Sequence, residues 1–130
     1  MRETFNFNNN WIFENSEVCL PHSAVELPFN YFDENIYQKE FIYEKIIKSE
    51  ASWDNKEVCL VFEAIMANAH VYLNDKKIVS HTDGYTPFIA RLTDELEKGE
   101  NILRVKIDGS ENPSIPPFGG RIDYLTYAGI

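Results

Sequence analysis

The chain has 130 residues and a mass of 15.1 kDa, enough for one domain with a core of its own. Its 44% hydrophobic content argues against disorder, and no apolar run approaches the ~20 residues of a membrane-spanning helix. A net charge of −9, with basic residues scattered singly or in pairs such as Lys76-Lys77, weighs against nucleic acid, which needs clustered Lys and Arg, and fits a neutral sugar or a protein partner.

The first residues, Met-Arg-Glu-Thr-Phe-Asn-Phe-Asn, contain no apolar stretch resembling a secretory signal. That favours the cytoplasm and leaves secretion open. Cys19 lies in the apolar run 17–20 and Cys59 in the run 57–62. Two cysteines make no disulfide scaffold and lack metal-ligand spacing, so both are expected as reduced thiols buried like small hydrophobes, with a disulfide between them as the alternative.

Period two dominates the rest. Over 37–48, Phe41 and Tyr43 share one face and Ile42 and Ile46 the other, which predicts a long strand partly buried on both sides. In 57–63, Val58, Leu60 and Phe62 share a face opposite Glu57, Cys59, Val61 and Glu63. In 68–74, Ala69, Val71 and Leu73 alternate with His70, Tyr72 and Asn74. The stretch Asn74-Asp75-Lys76-Lys77 then predicts a turn into Ile78-Val79, because Asn and Asp tolerate positive φ. Residues 93–98 are the only candidate helical turn, stopped by Gly99. Leu103, Val105 and Ile107 alternate with Arg104, Lys106 and Asp108, a half-buried strand. Residues 110–120 carry three prolines and two glycines, which forbid a central strand and predict a shaped loop. Short strands separated by Asn, Asp, Gly and Pro give an all-β antiparallel sandwich.

Several segments in order resemble the N-terminal sugar-binding domain of glycoside hydrolase family 2. They are Asn10-Trp-Ile-Phe13, Leu20-Pro-His22, the stretch from Tyr37 to Phe41, the strand at 58–64, Ala69-His-Val-Tyr-Leu-Asn74, Gly84-Tyr-Thr-Pro-Phe88 and Gly99-Glu-Asn101 before a strand. The resemblance implies a jelly-roll β-sandwich of the galactose-binding-domain type. Within it, Trp11, Trp53, Tyr85 and Phe88 are expected mainly as core aromatics, and His22 as an anchor at a strand entry. His70 and His81 lack ligand partners at any recognised metal spacing.

Asp123, in Asp123-Tyr-Leu-Thr-Tyr-Ala-Gly-Ile130, is the one candidate site residue. The resemblance implies that this Asp reaches from the sandwich into the active site of a separate barrel and accepts hydrogen bonds from a substrate sugar. A carboxylate can accept two hydroxyls at once. No catalytic residue, metal or cofactor is expected within the chain itself. Retaining glycoside hydrolysis needs two carboxyls about 5 Å apart, and the resemblance places them in the barrel. The implied whole is a retaining exo-β-glycosidase, with a terminal β-galactoside favoured as substrate and immunoglobulin-like and barrel domains downstream. A β-glucuronidase, a stand-alone carbohydrate-binding module and a structural interaction domain are the alternatives. The chain stops within the Asp-to-Gly-Ile motif, so residues 1–130 are expected as a single domain truncated before its last strand. The open edge would then favour a homo-oligomer, or a loose tail after Gly120.

Overall fold

The structure, a computed structural model, describes residues 2–26, 34–36, 38–110, 112–115 and 128–130. Eight strands are found among them: β1 (Trp11–Phe13), β2 (Ser16–Val18), β3 (Glu40–Lys48), β4 (Cys59–Phe62), β5 (Asn68–Leu73), β6 (Lys76–His81), β7 (Phe88–Arg91) and β8 (Glu100–Asp108). They form a six-stranded sheet in the order β2-β1-β3-β8-β5-β6 and a two-stranded sheet, β4-β7. Every pairing is antiparallel. The remaining regular pieces are two short 3-10 turns, Glu34–Ile36 and Ala51–Trp53. The fold is therefore the expected all-β jelly-roll sandwich.

Alternation explains the register. On β8, Leu103, Val105 and Ile107 are fully buried while Arg104, Lys106 and Asp108 are half-exposed. A one-residue slip would exchange the two sets, and each aliphatic side chain gains about 1.5–3 kcal/mol from burial. The same face of the large sheet supplies Trp11, Tyr43, Val71 and Leu73, and the small sheet answers with Phe62, Phe88 and Ala90. The Phe62 and Phe88 rings stack at 5.0 Å. Residues 7–9 are tied down by Lys45, whose Nζ lies 3.9 Å from the Phe7 ring centroid and donates to the carbonyls of Phe7 and Asn9. Trp11 Nε1 donates to the same Phe7 carbonyl at 2.8 Å.

The structure departs from the sequence expectations at several points. β3 begins at Glu40, and its second face is open: Ile42 and Ile46 are 41% and 58% exposed. The β5–β6 hairpin uses only Asn74 and Asp75 as its loop, at φ 49° and 67°. These are the positive values of a turn whose twist matches the strands. The expected helical turn at 93–98 is present as one turn only: Glu95 and Leu96 both donate backbone N–H groups to Leu92 O, and Gly99 reverses the chain at φ 90°. Cys19 and Cys59 are free and exposed, neither buried nor joined. Tyr85 is 58% exposed and Trp53 half-buried, whereas Trp11 and Phe88 are in the core as expected.

Candidate functional site

Asp123 and most of the 110–120 loop lie outside the described residues. Their flanks are described, and they define one end of the sandwich. On the near side, β8 finishes at Asp108, opposite Glu40 of β3 and Asn68 of β5, and Gly109 N–H reaches Lys39 O at 2.9 Å. The chain then makes two side-chain-capped turns. Asp108 Oδ1 accepts from Ser110 N, and Asn112 Oδ1 from Ser114 N, each at 2.9 Å.

On the far side, Ala128 is fully buried, and residues 128–130 run between two other segments. His22 and Ile130 exchange backbone hydrogen bonds at 2.8 and 3.1 Å, and Ala24 donates to Ala128 O at 2.9 Å. On the opposite edge Met66 and Gly129 exchange bonds at 3.0 and 3.4 Å. The expectation of a loose tail therefore fails for residues 128–130. A small three-segment ladder holds them because their neighbours offer unpaired backbone groups on both sides. Glycine is required in the middle: a Cβ on Gly129 would lie 2.8 Å from His22 O and 3.4 Å from Ser23 Cα.

His22 is the anchor foreseen from the sequence. Its Nδ1 is hydrogen-bonded to the Tyr43 hydroxyl at 2.7 Å, and Phe13 stacks on Tyr43 at 4.7 Å. Burial, helped by the charge of Glu14, pushes the Tyr43 phenol well above its ordinary value, so it keeps its proton at neutral pH. Beside this ladder, Gly84 packs against Met66, with a Cβ at 84 meeting Met66 Sδ at 2.5 Å. Gly84 thereby seats the 83–86 corner. There Asp83 Oδ1 accepts the Tyr85 N–H at 2.7 Å, a bond that holds its carboxyl below the usual range, helped by Thr86. His81 Nε2 is bonded to Thr86 Oγ1 at 3.0 Å and the ring stacks on Phe88 at 4.5 Å. His70 is bonded to Ser80 Oγ at 2.8 Å. Asn68 Oδ1, at the edge of this end, is buried without a hydrogen-bond partner.

The acidic side chains elsewhere are solvated or ion-paired. Arg91 bridges Glu57, at 3.0 Å, and Asp94, all three largely exposed. Such pairs contribute little to stability. Among the described residues no group of three or more His, Cys, Asp or Glu is placed to hold a metal ion. The residue that the sequence reading overlooked is Asn101, the one polar side chain fully buried among the described residues. Its signal is the Gly99-Glu-Asn101 segment, which also belongs to the family likeness.

The family model described as glycosyl hydrolase 2 galactose-binding domain-like matches residues 22–114. A β-galactosidase of Rhizobium meliloti is 43% identical across 100% of this chain, which spans 19% of that relative. A β-glucuronidase of Bacteroides fragilis is 33% identical over 99% of the chain and 20% of its own length. The solved structure of Bacteroides uniformis β-glucuronidase 2, covalently bound to a cyclophellitol-6-carboxylate aziridine, superposes with a TM-score of 0.84 at 24% identity. It covers 100% of this chain and 17% of that one, and it shows the shared fold. The chain thus spans about a fifth of the length of the curated relatives it matches.

Proposed function

Because the chain belongs to the glycosyl hydrolase 2 galactose-binding domain-like family, we propose that it is the N-terminal domain of a retaining exo-β-glycosidase, a β-galactosidase. The observation that carries the reading is the 43% identity to a β-galactosidase along the whole chain, against 33% to the β-glucuronidase. In this reading the acid/base and nucleophile carboxylates belong to a downstream barrel. The sandwich packs on its neighbours and presents Asp123 to a hydroxyl of the terminal sugar. The ladder that fixes residues 128–130 supports that role, since a projecting carboxylate is effective only when its flanks are rigid. An apolar face on β1, β3 and β8, with Ile12, Ile42, Ile46 and Ile102 all more than 40% exposed, supports packing against other domains.

The test is made in the parent enzyme with aryl β-galactoside and aryl β-glucuronide substrates. Turnover of the galactoside is expected to dominate, and Asp123→Asn to lower kcat/KM while the fold survives. A lost charge-assisted hydrogen bond is worth about 1.5–3 kcal/mol, roughly ten- to a hundredfold in rate if it acts in the transition state. The 130-residue chain alone should turn over neither substrate. Preference for the glucuronide, or wild-type kinetics in Asp123→Asn, would remove the corresponding part of the proposal.

A further inference from the structure

The core packs against one face of the six-stranded sheet. The other face carries an apolar patch on β1, β3 and β8, made by Ile12, Ile42, Ile46 and Ile102, which are 41% to 58% exposed. Register brings the four together. Ile46 lies directly opposite Ile102, and Ile12 stands beside Glu44, between Ile42 and Ile46. Singly exposed aliphatic side chains need no explanation, but adjoining ones mark a contact surface.

The charged groups around the patch are already paired within it. Arg104 bridges Glu44 at 3.1 Å and Asp75 at 2.8 Å. Lys106 Nζ lies 3.6 Å from Glu40, and Lys48 Nζ 3.6 Å from Glu100. An opposing surface can therefore displace water without stranding a charge, which is the main cost of burying such a face. Tyr72 stands next to Arg104 across the β5–β8 pairing, and Tyr and Arg are enriched at the centres of protein contacts.

Charge also selects the occupant. The outward residues of β3 and β8 set Lys48, Arg104 and Lys106 against Glu40, Glu44, Glu100 and Asp108, one excess negative charge in a chain of net charge −9. Two copies of so acidic a chain repel one another little when these near-neutral faces meet. Residues 128–130 bond to Met66, and Ala128 is in the core. Whatever follows Ile130 therefore sets out from the inner side of the large sheet, which leaves the outer face to a separate molecule.

We propose that the outer face of the six-stranded sheet is the contact between two copies of this chain, packed face to face about a two-fold axis. Such a contact sets one patch against itself, so apolar meets apolar and no second, complementary surface is required. The size agrees. At about 3.3 Å per residue and 4.8 Å per strand the large sheet offers roughly 600 Å². Two such faces reach ~1,200 Å², the lower limit of a stable specific interface. The proposal rests on the packing role given to this face above, and it names the neighbour.

The test is sedimentation equilibrium of the 130-residue chain. Its mass should rise from 15.1 kDa towards twice that value between about 1 and 100 µM, as suits an interface of minimal size. Ile46→Glu and Ile102→Lys should each weaken dimerisation about tenfold or more. Ile89→Glu, on the outer face of the small sheet and 59% exposed, should leave it unchanged. Circular dichroism checks that each variant is folded. Diluting the isotope-labelled wild-type chain should move the amide resonances of Ile12, Ile46 and Ile102 and not those of Val61 and Ile89, so a misfolded variant leaves the test intact. A monomer at about 100 µM overturns the proposal. So does a dimer that survives in folded Ile46→Glu, which would put the contact at a strand edge, or one lost equally in Ile89→Glu. None of these results bears on the glycosidase reading, which turnover in the parent enzyme tests separately.

Discussion

Replacing Asn101 by Ala should cost about 2–4 kcal/mol of folding stability, although the residue sits at a strand end and touches no candidate substrate. Its side chain is 0% exposed. Nδ2 donates to Glu97 O at 2.9 Å and Gly99 O at 3.2 Å, and Oδ1 accepts from Glu97 N and Asn74 Nδ2, both at 2.8 Å. The 3.5 Å contact to Ile47 O is too long to count. Four bonds at roughly 0.5–1.5 kcal/mol each span about 2–6 kcal/mol. Glu97 and Gly99 are exposed, so water can replace part of what their backbone groups lose, which favours the lower half of that range. The loss is large against a total stability of about 5–15 kcal/mol.

Urea denaturation followed by circular dichroism measures it, with an unchanged m-value marking a true change in stability. A cycle with Asn74→Ala should show coupling of at least ~0.5 kcal/mol, since the two side chains are bonded directly. Asn101→Asp should be worse than Asn101→Ala at neutral pH, because a buried carboxylate would face two carbonyl oxygens. A loss below about 1 kcal/mol in Asn101→Ala would refute the reasoning.

Gly129→Ala should destabilise by about 1–3 kcal/mol, because its Cβ would press on the His22 and Ser23 backbone. Hydrogen exchange should quicken at Ala24 and Met66, whose amides bond across the ladder; wild-type protection there would contradict the account. Burial lowers the His70 pKa, with Lys77 and Lys106 adding to the effect. The unfolded chain therefore takes up the proton first as pH falls, and stability drops on passing below about 6.5. That dependence should shrink in His70→Gln, as thermal unfolding at two pH values would reveal. Both thiols should react with a disulfide reagent in the native state, as each is exposed. Cys59 should be the slower at neutral pH, because desolvation and Glu57 push its thiol up; the Cys59→Ser variant should lose the slow phase.

Periodicity was a reliable guide where it decided which side chains share a face. The placement of Leu103, Val105 and Ile107 follows from alternation alone, as does the outward direction of Cys59, which lies on the same side as Glu57 and Glu63. The expectation of a buried Cys59 failed because it weighed the apolar neighbours above that alternation. What periodicity could not supply is what covers a face. Ile42 and Ile46 are as apolar as Phe41 and Tyr43, yet they lie on the outer side of the six-stranded sheet, away from the core that β4 and β7 cover. Tyr85 likewise sits in a motif that ends in the core at Phe88, but the Asp83 turn directs its own residue to solvent.

The residues that fix the loops were the least legible, for a physical reason. Asn101 bonds to Asn74, 27 residues away, and to backbone groups that any sequence would possess. Ser49 reaches a loop 50 residues distant, and Gly129 is needed because the His22–Ser23 backbone closes on it. None of these partners leaves a local pattern. All three residues hold the ends of the sandwich, where strands stop and backbone groups would otherwise go unpaired. Between the ends, apolar alternation suffices to specify the fold and many side chains would serve. At the ends a particular amide, hydroxyl or missing Cβ is required. The chain concentrates its specific polar chemistry there.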